Sequence, residues 1–513
     1  MPFWAKAQNT FKATIIDEKT KEPLFGVSVI LESTQNGTTS NEKGFVELKN
    51  IPNGKQTIRF QSIGYGKKEK NFTFPMTESI EIALEPSAEN LEEVMVVATT
   101  RSSRNIKNIP TRIETISGED LAEGATMQPG NIKMLLTEST GIQTQQTSQV
   151  SASASIRIQG LDGKYTQLLQ DGFPLYSGFA GGLSILQIPP LNLKRAEIIK
   201  GSTSTLYGGG AIAGIINLIT KEPTEKRELS FLANVNQTQA LDLSGFYAEK
   251  YKKTGLTIFV ANNTQKAYDT NNDEFSDIPK FERFTINPKF FYYLSDKSTF
   301  SFGVNAGFEK RTGGDMLVID NKADATHSFF ETNNSNRYST QAKFETTLTN
   351  KNILTIKNSI GYFNRQILRP TYSFEGQQIS TFSEANYLIP NEKLEWILGI
   401  SFVSDNFQQA NVITNKLDYF NSSFGIFAQN NLNVTDKFIV ESGLRLDISD
   451  KSNIFVLPRL SLLYKITDQI TSRVGGGLGY KNPTIFSEDS EEKAFQNINS
   501  LDFQKLVPKN LMV

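Results

Sequence analysis

The feature that most constrains this chain is a two-residue hydrophobic alternation that recurs beyond residue 224. Between Thr299 and Glu309, the residues Phe300, Phe302, Val304, Ala306 and Phe308 alternate with small or polar ones. Phe438 to Ile448 keeps this period over its later part and sets Glu441, Arg445 and Asp447 on one side. Successive side chains of a strand point to opposite faces, so each run has one apolar and one polar face. A run of about ten residues suffices for a tilted strand to cross the hydrocarbon layer, and the same period also fits a large soluble β protein with one face on a core. The joins discriminate. Short turns at Ser295-Asp296-Lys297, Asn350-Lys351, Pro390-Asn391-Glu392, Thr435-Asp436-Lys437 and Thr467-Asp468-Gln469 alternate with long polar segments at 266–282, 310–336, 365–380 and 405–420. A soluble sandwich has no reason to gather its long loops on one side, whereas a membrane barrel has short turns at one rim and long loops at the other. Tyr292, Tyr293, Tyr362, Phe363 and Tyr480 fall near strand ends and are expected to form an interfacial girdle, with ordinary strand packing as the alternative for each ring.

Composition narrows the chemistry. The 513 residues contain no Cys and one His, His327, which excludes disulfides, thiolate nucleophiles and multi-histidine metal centres. With 53 basic against 54 acidic side chains, no strongly basic footprint for nucleic acid is present. No run reaches the roughly 18 apolar residues of a membrane helix, so spanning is left to strands. No cofactor is expected, and no convergent nucleophile and base can be placed. At the start, Phe3-Trp4-Ala5-Lys6-Ala7 reads as the small-residue end of a signal peptide or as an ordinary frayed terminus.

Residues 10–86 alternate short β-branched and aromatic runs with turns at Asn36-Gly37, Asn41-Glu42-Lys43-Gly44 and Pro52-Asn53-Gly54, the pattern of a Greek-key sandwich. A linker follows at 87–108. Within it Leu91, Glu92, Glu93, Val94, Met95, Val96, Val97, Ala98 and Thr99 form an isolated extended stretch, either an edge strand or a segment that a partner captures by strand addition. The region 109–223 is glycine-punctuated and mixed, with a helix expected at Gly130 to Leu136 and strands at Ser155 to Gln159, Gln167 to Gln170, Ala196 to Lys200 and Gly214 to Thr220. Gly208-Gly209-Gly210 lacks the Gly-Lys-Ser/Thr ending of a phosphate cradle and reads as close packing. Asp171-Gly172 reads as a tight turn.

The runs Ile156-Arg157-Ile158-Gln159-Gly160-Leu161, Leu169-Gln170-Asp171-Gly172-Phe173-Pro174-Leu175 and Arg195-Ala196-Glu197-Ile198-Ile199-Lys200-Gly201, continued by Leu206-Tyr207-Gly208 to Lys221, resemble the plug domain of TonB-dependent outer-membrane receptors. Pro23-Leu24-Phe25-Gly26-Val27, Thr38 to Phe45 and Ile63-Gly64-Tyr65 resemble the carboxypeptidase regulatory-like domain that precedes the plug in receptors of the Bacteroidota. The resemblance implies a mainly β protein: an N-terminal Greek-key β-sandwich, a mixed α/β plug at 109–223 and an antiparallel transmembrane β-barrel at 224–513. It makes Leu91 to Thr99 the strand pulled by the TonB energising protein of the inner membrane. Arg157 and Glu197 become candidates for plug ion pairs or latches to the wall, with solvated surface charges as the alternative. Gly160, Asp171, Gly172, Gly201, Tyr207, Gly208 and Gly214 become plug-core positions. Phe173, Tyr176 and Phe179 are expected at the plug apex, and Arg365, Arg369 and Tyr372, with Phe374, in an outside loop suited to an anionic, aromatic iron chelate.

About 13 strands are readable between Arg227 and Tyr480, against roughly 22 in the family's barrels, and residues 481–498 resemble an outside loop. The sequence reading therefore expects a truncated product or partial sequence, with no recognisable final strand at Leu511-Met512-Val513. The implied function is TonB-dependent uptake of a ferric siderophore or similar iron complex across the outer membrane. Haem, corrinoid or oligosaccharide are alternative substrates, and an accessory surface lipoprotein is a further partner that the family allows. A passive pore and a surface adhesin or scaffold are the rival classes.

Overall fold

A computed structural model describes residues 9–85 apart from 19, 33, 35, 63–64, 66–67 and 77–78; residues 100–101; residues 106–499 apart from 149, 176–177, 413–415, 451–452 and 468; and the backbone of 510–512. The chain divides into two compact units, Met1–Val94 and Met95–Val513.

In the first unit, β1 (Asn9–Asp17), β2 (Ser28–Leu31), β3 (Asn36–Thr39), β4 (Phe45–Ile51), β5 (Gly54–Gln61), β6 (Lys68–Phe74) and β7 (Ile80–Leu84) form two sheets, in the orders β4-β1-β7 and β3-β2-β5-β6. Their facing residues, among them Phe11, Ile15, Val29, Leu31, Val46, Leu48, Ile58 and Phe60, make one core. The sandwich expectation holds. Asn36-Gly37, expected as a turn, instead opens β3, because Asn36 pairs with Leu31 across the hairpin.

In the second unit, the plug comprises β8 (Ile113–Ser117), β9 (Ile142–Gln146), β10 (Ala154–Ile158), β11 (Thr166–Gln170), β12 (Phe173–Pro174), β13 (Leu193–Lys200) and β14 (Gly214–Thr220). The order β12-β11-β14-β13-β8 makes its main sheet, and β10-β9 a second. Helices Gly118–Met127 and Lys133–Thr137 bury Leu121, Leu135 and Leu136 in a core shared with Ile156, Ile158, Ile198 and Ile216. The expected helix at Gly130 to Leu136 starts three residues later, at Lys133, behind the Pro129-Gly130 turn.

The long strands follow: β15 (Glu228–Val235), β16 (Leu241–Tyr251), β17 (Thr254–Gln265), β18 (Lys280–Ser295), β19 (Ser298–Gly314), β20 (Phe330–Thr347), β21 (Ile353–Arg369), β22 (Tyr372–Ile389), β23 (Leu394–Gln409), β24 (Tyr419–Asn433), β25 (Phe438–Ser449), β26 (Ile454–Lys465), β27 (Thr471–Tyr480) and a short β28 (Asn510–Met512). They pair strictly in sequence order as one 14-stranded antiparallel sheet. Thirteen precede residue 481, as expected, and Asn510–Met512 adds a strand that sequence reasoning did not recognise.

The faces separate as the alternation requires. Phe300, Phe302 and Phe308 on β19, Trp396, Leu398, Ile400 and Phe402 on β23, and Leu444 and Ile448 on β25 are exposed, while Ser301, Glu309, Arg311, Glu395, Ser401, Glu441, Arg445 and Asp447 are buried on the opposite face. An outward apolar belt around a polar interior is the arrangement of a membrane strand wall. Two expectations fail here. The segment 365–380 is a hairpin, with β21 and β22 joined through Pro370-Thr371 and paired from Arg369↔Tyr372 onward. Phe363 and Tyr480 are not girdle residues: Phe363 packs inward on Phe179, and Tyr480 stacks on Phe455 at 3.8 Å.

Candidate functional site

The candidate site is the contact between plug and strand wall. Polar groups buried on both sides meet there, as buried charge requires if it is not to stay uncompensated. Arg283 of β18 donates to the carbonyl oxygens of Leu186 and Gly130, and Arg311 of β19 donates to Ser151 O at 3.2 Å. Glu309 lies between these two arginines, 3.4 and 3.1 Å away. Gln187 of the plug accepts from Arg337 and donates to Ser335 Oγ at 3.0 Å. Arg459 of β26 bonds Glu441, Ser202 O and Thr111 Oγ1, which itself donates to Glu441 at 2.8 Å.

Asp171-Gly172 is the two-residue turn between β11 and β12, with φ of 52° and 75°. Positive φ at both central residues marks a type I′ hairpin, for which Asp-Gly is favoured. The Asp171 carboxylate accepts from Thr220 N at 2.8 Å and from Lys289 of the wall at 2.9 Å. The turn therefore sits beside the half of β18 nearer the short turns. Its neighbour Phe173 packs edge-on against Phe382, in the middle of β22, so Phe173 lies at mid-depth and not at the apex as expected. Phe179 does lie at the long-loop end. Its ring is surrounded by Phe363, Phe374, Phe407, Phe486 and Phe495 at 5.1–5.8 Å. Tyr176 lies outside the described residues.

The segment after β27 closes this end. Ser487 caps helix Glu488–Glu492 through a reciprocal bond pair with Ser490. Glu488 accepts from Arg157, Ser155 Oγ and the Gly163 amide. Burial opposes the Glu488 charge, but these bonds more than offset it and hold the carboxyl below its usual range. Arg157 thus pairs with the segment after β27 and not with a strand of the wall, where a latch was expected. Glu197 pairs with Arg195 inside the plug sheet at 2.7 Å.

Arg365, expected in an outside loop, is 1% exposed on β21, bonded to Asn333 and paired with Glu491 at 2.6 Å. Arg369 pairs with Glu331 at 2.7 Å, and Tyr372 packs on the Phe179 cluster. These three are strand residues facing the interior, so their loop placement is corrected. The glycines behave as packing positions: a Cβ at Gly214 would overlap Ile199 O, and one at Gly209 the Tyr480 ring, while Gly160, Gly201 and Gly208 take φ of 79°, 102° and 78°.

Sequence reasoning missed Arg101. It binds Glu384 of β22 through two bonds of 2.9 and 2.5 Å, and its guanidinium lies 4.5 Å over the Tyr207 ring. Nothing local marks a partner 283 positions away. Residues Leu91 to Thr99 lie outside the described residues. His327 bonds Asp324 at 3.0 Å and Glu274 at 3.2 Å, which joins the loops after β17 and β19. The bond to Asp324 raises its pKa above the ordinary value.

Residues 11–96 match the CarboxypepD_reg-like domain, 105–215 the TonB-dependent Receptor Plug Domain, and 230–499 the TonB dependent receptor-like beta-barrel. The ferrichrome outer membrane transporter/phage receptor of Escherichia coli K12 is 26% identical over 40% of this chain and 26% of its own length. The vitamin B12 transporter BtuB of Vibrio vulnificus is 31% identical over 36% of this chain and 34% of its own length. The chain thus spans about a third or less of these relatives. In fold it is similar to the ferric enterobactin receptor of Pseudomonas aeruginosa, with a TM-score of 0.59 at 16% identity over 74% of this chain and 63% of that one. FpvAI in its complex with pyocin S2 aligns with a TM-score of 0.63 at 13% identity, over 76% of this chain and 58% of that one. The barrel family match alone covers more than half of this chain, and with a plug held inside that wall the chain belongs to the TonB-dependent receptors of the Gram-negative outer membrane.

Proposed function

We propose that this protein takes up a scarce solute, a ferric siderophore or similar iron complex, across the outer membrane, with the work supplied by the TonB energising protein. The observation that carries the reading is a folded plug tied to the surrounding wall by the Asp171–Lys289 ion pair and by Arg459 bonds to Ser202 O and Thr111, with the Arg101–Glu384 pair just ahead of it, which a passive pore has no use for. Transport then requires force, and the outer membrane has no ATP. Leu91 to Thr99 is the coupling strand in this reading, for Arg101, two residues further on, is clamped to the wall. Pulling would load that clamp first and open the plug locally while the wall stays hydrogen-bonded. The iron ligand is favoured by the ferrichrome transporter among the relatives, with a corrinoid the second reading because of the vitamin B12 transporters. The regulatory-like domain ahead of the plug supports a Bacteroidota-type receptor. The other partners of this reading are outer-membrane lipid and an accessory surface lipoprotein.

The test is deletion of 91–99 in the native host, with iron-labelled hydroxamate and catecholate chelates and labelled cobalamin as probes. Surface binding should persist and accumulation should cease. Accumulation equal to that of the parent would refute the coupling role.

A further inference from the structure

At the long-loop end, one chain of contacts on the wall does not balance its own charge. Arg369 of β21 pairs with Glu331 of β20 at 2.7 Å, Asn333 donates to Glu331 at 3.0 Å, and Arg365 of β21 donates to Asn333 at 2.8 Å. The guanidinium groups of Arg365 and Arg369 are thus set against the single carboxylate of Glu331, and the excess positive charge falls on Arg365, which is buried. The missing negative charge comes from Glu491, 2.6 Å from Arg365 and on the short helix Glu488–Glu492.

That pair is incompletely satisfied. Arg365 Nη1 and Glu491 Oε1 are buried and make no hydrogen bond among the described residues, because Arg365 gives its Nε and Nη2 edge to Asn333 and has no two-bond fork left for the carboxylate. A pair built for stability alone would use the fork, since each buried polar group left over costs free energy. Gly182 of the plug lies against both partners: a Cβ there would stand 2.9 Å from Arg365 Nη1 and 2.7 Å from Glu491 Oε2.

The rings of the same segment repeat the pattern. Phe486 and Phe495 insert among Phe179 of the plug and Phe374 and Phe407 of the wall, with centroids 4.7–5.8 Å apart. Beside them Tyr419 OH is buried without a hydrogen-bond partner among the described residues, and it lines a cavity of about 330 Å³ together with Gly182, Phe486 and Glu491. Small-molecule sites occupy about 300–1,000 Å³, and withdrawal of the segment's own side chains would enlarge this one. One short segment therefore gives a carboxylate to a buried guanidinium and two phenyl rings to an aromatic cage.

We propose that residues 481–498 are a tethered stand-in for the ligand: Glu491 and the rings of Phe486 and Phe495 hold the place on Arg365 and the Phe179 cluster that an anionic chelate with aromatic donor groups takes when it binds. The proposal deepens the transport reading and rests on it. An anionic aromatic ligand exchanges charge for charge and ring for ring, so Arg365 is never left uncompensated. A neutral solute cannot replace Glu491 and is disfavoured. Being part of the chain, the segment competes at a fixed effective concentration and lowers the apparent affinity for every ligand that must displace it.

Weakening the stand-in while keeping the site tests it. Binding of the iron-labelled catecholate and hydroxamate chelates and of labelled cobalamin is measured without energisation on outer membranes carrying the full chain. Glu491→Gln should bind the catecholate chelate about tenfold more tightly and Arg365→Gln about tenfold more weakly, with the other two probes little changed. A merely structural pair would weaken binding alike in both variants. Changes of the same sign, or no gain in Glu491→Gln, would overturn the proposal. If either variant misfolds, a spin label at exposed Gln496→Cys decides, since the parent has no cysteine. The label should gain mobility when the catecholate chelate is added, and unchanged mobility would overturn the stand-in. Accumulation in energised cells is scored separately. A parent that takes up none of the three probes overturns the transport reading, whereas uptake without the opposed binding changes overturns the stand-in alone.

Discussion

Loss of the Arg101 guanidinium should release the chain just ahead of the plug from the wall. Arg101 and Glu384 are 4% and 1% exposed, and Asn386 also donates to Glu384 at 3.0 Å. Removing one partner of a buried pair costs about 3–5 kcal/mol, chiefly because the other charge is left uncompensated. Lys357, on the same inward face, interacts favourably with Glu384 and softens this, so the lower end applies to Arg101→Met. At ~1.4 kcal/mol per factor of ten, ~3 kcal/mol raises the locally open population about 100-fold. Tryptic cleavage after Lys107 in isolated outer membranes tracks that population when reclosing is fast. Arg101→Met should therefore be cut about 100-fold faster, and the double variant Arg101→Met/Glu384→Gln, which leaves no unpaired carboxylate, only a few-fold faster. An unchanged rate in the single variant, or equal rates in single and double, would show that the pair does not hold the segment.

Other outcomes follow from the same contacts. Because the Glu488 pKa is lowered by docking, its stabilisation is present above the ordinary carboxyl value of about 4.3 and lost as pH falls through the lower docked value. Protease protection of 481–499 should accordingly weaken only below about pH 4, and Glu488→Gln should remove that pH dependence. His327 has the opposite sign: its raised pKa favours the loop contact fully below the ordinary value of about 6.5, and the contribution is lost as pH rises through the raised one. As the chain's single histidine, it gives an unambiguous NMR titration, which Asp324→Asn should shift back down. Gly209→Ala should destabilise plug docking by a few kcal/mol, about 1–3, as read by heat-modified mobility. Gly210→Ala, which would meet only Lys481 Nζ at 3.9 Å, should be nearly silent.

How far the sequence reaches depends on whether a strand has two chemically different sides. Where lipid lies on one face and the plug on the other, as at Phe300 to Phe308, the period is plain. At 365–380 it fades, because β21 and β22 run to 17 and 18 residues, well past the ten or so that span the hydrocarbon layer. There the outer face is polar, and the inner one mixes Arg365, Ile367 and Phe374, so hairpin arms read as a loop. Helix Gly118–Met127 escaped for a related reason: it buries Leu121, Gly124 and Ala125, a stripe too small to register, although Ser117 with Glu119 and Asp120 signals its start. The Asp171-Gly172 turn was legible because its chemistry is local. Arg101–Glu384 and Arg365–Glu491 were not, since either partner alone looks like any charged residue.

On the inner face of β19 to β22, Asn305 pairs with Ser339, Ser339 with Gly361 and Gly361 with Ser380, a row of small uncharged residues that bears on how a plug would slide against its wall. A joint glued by hydrocarbon would expose greasy surface at every stroke and invite collapse. One lined by amides and hydroxyls trades each lost contact for a water molecule, and so behaves as a lubricated bearing that resets itself when the load is removed.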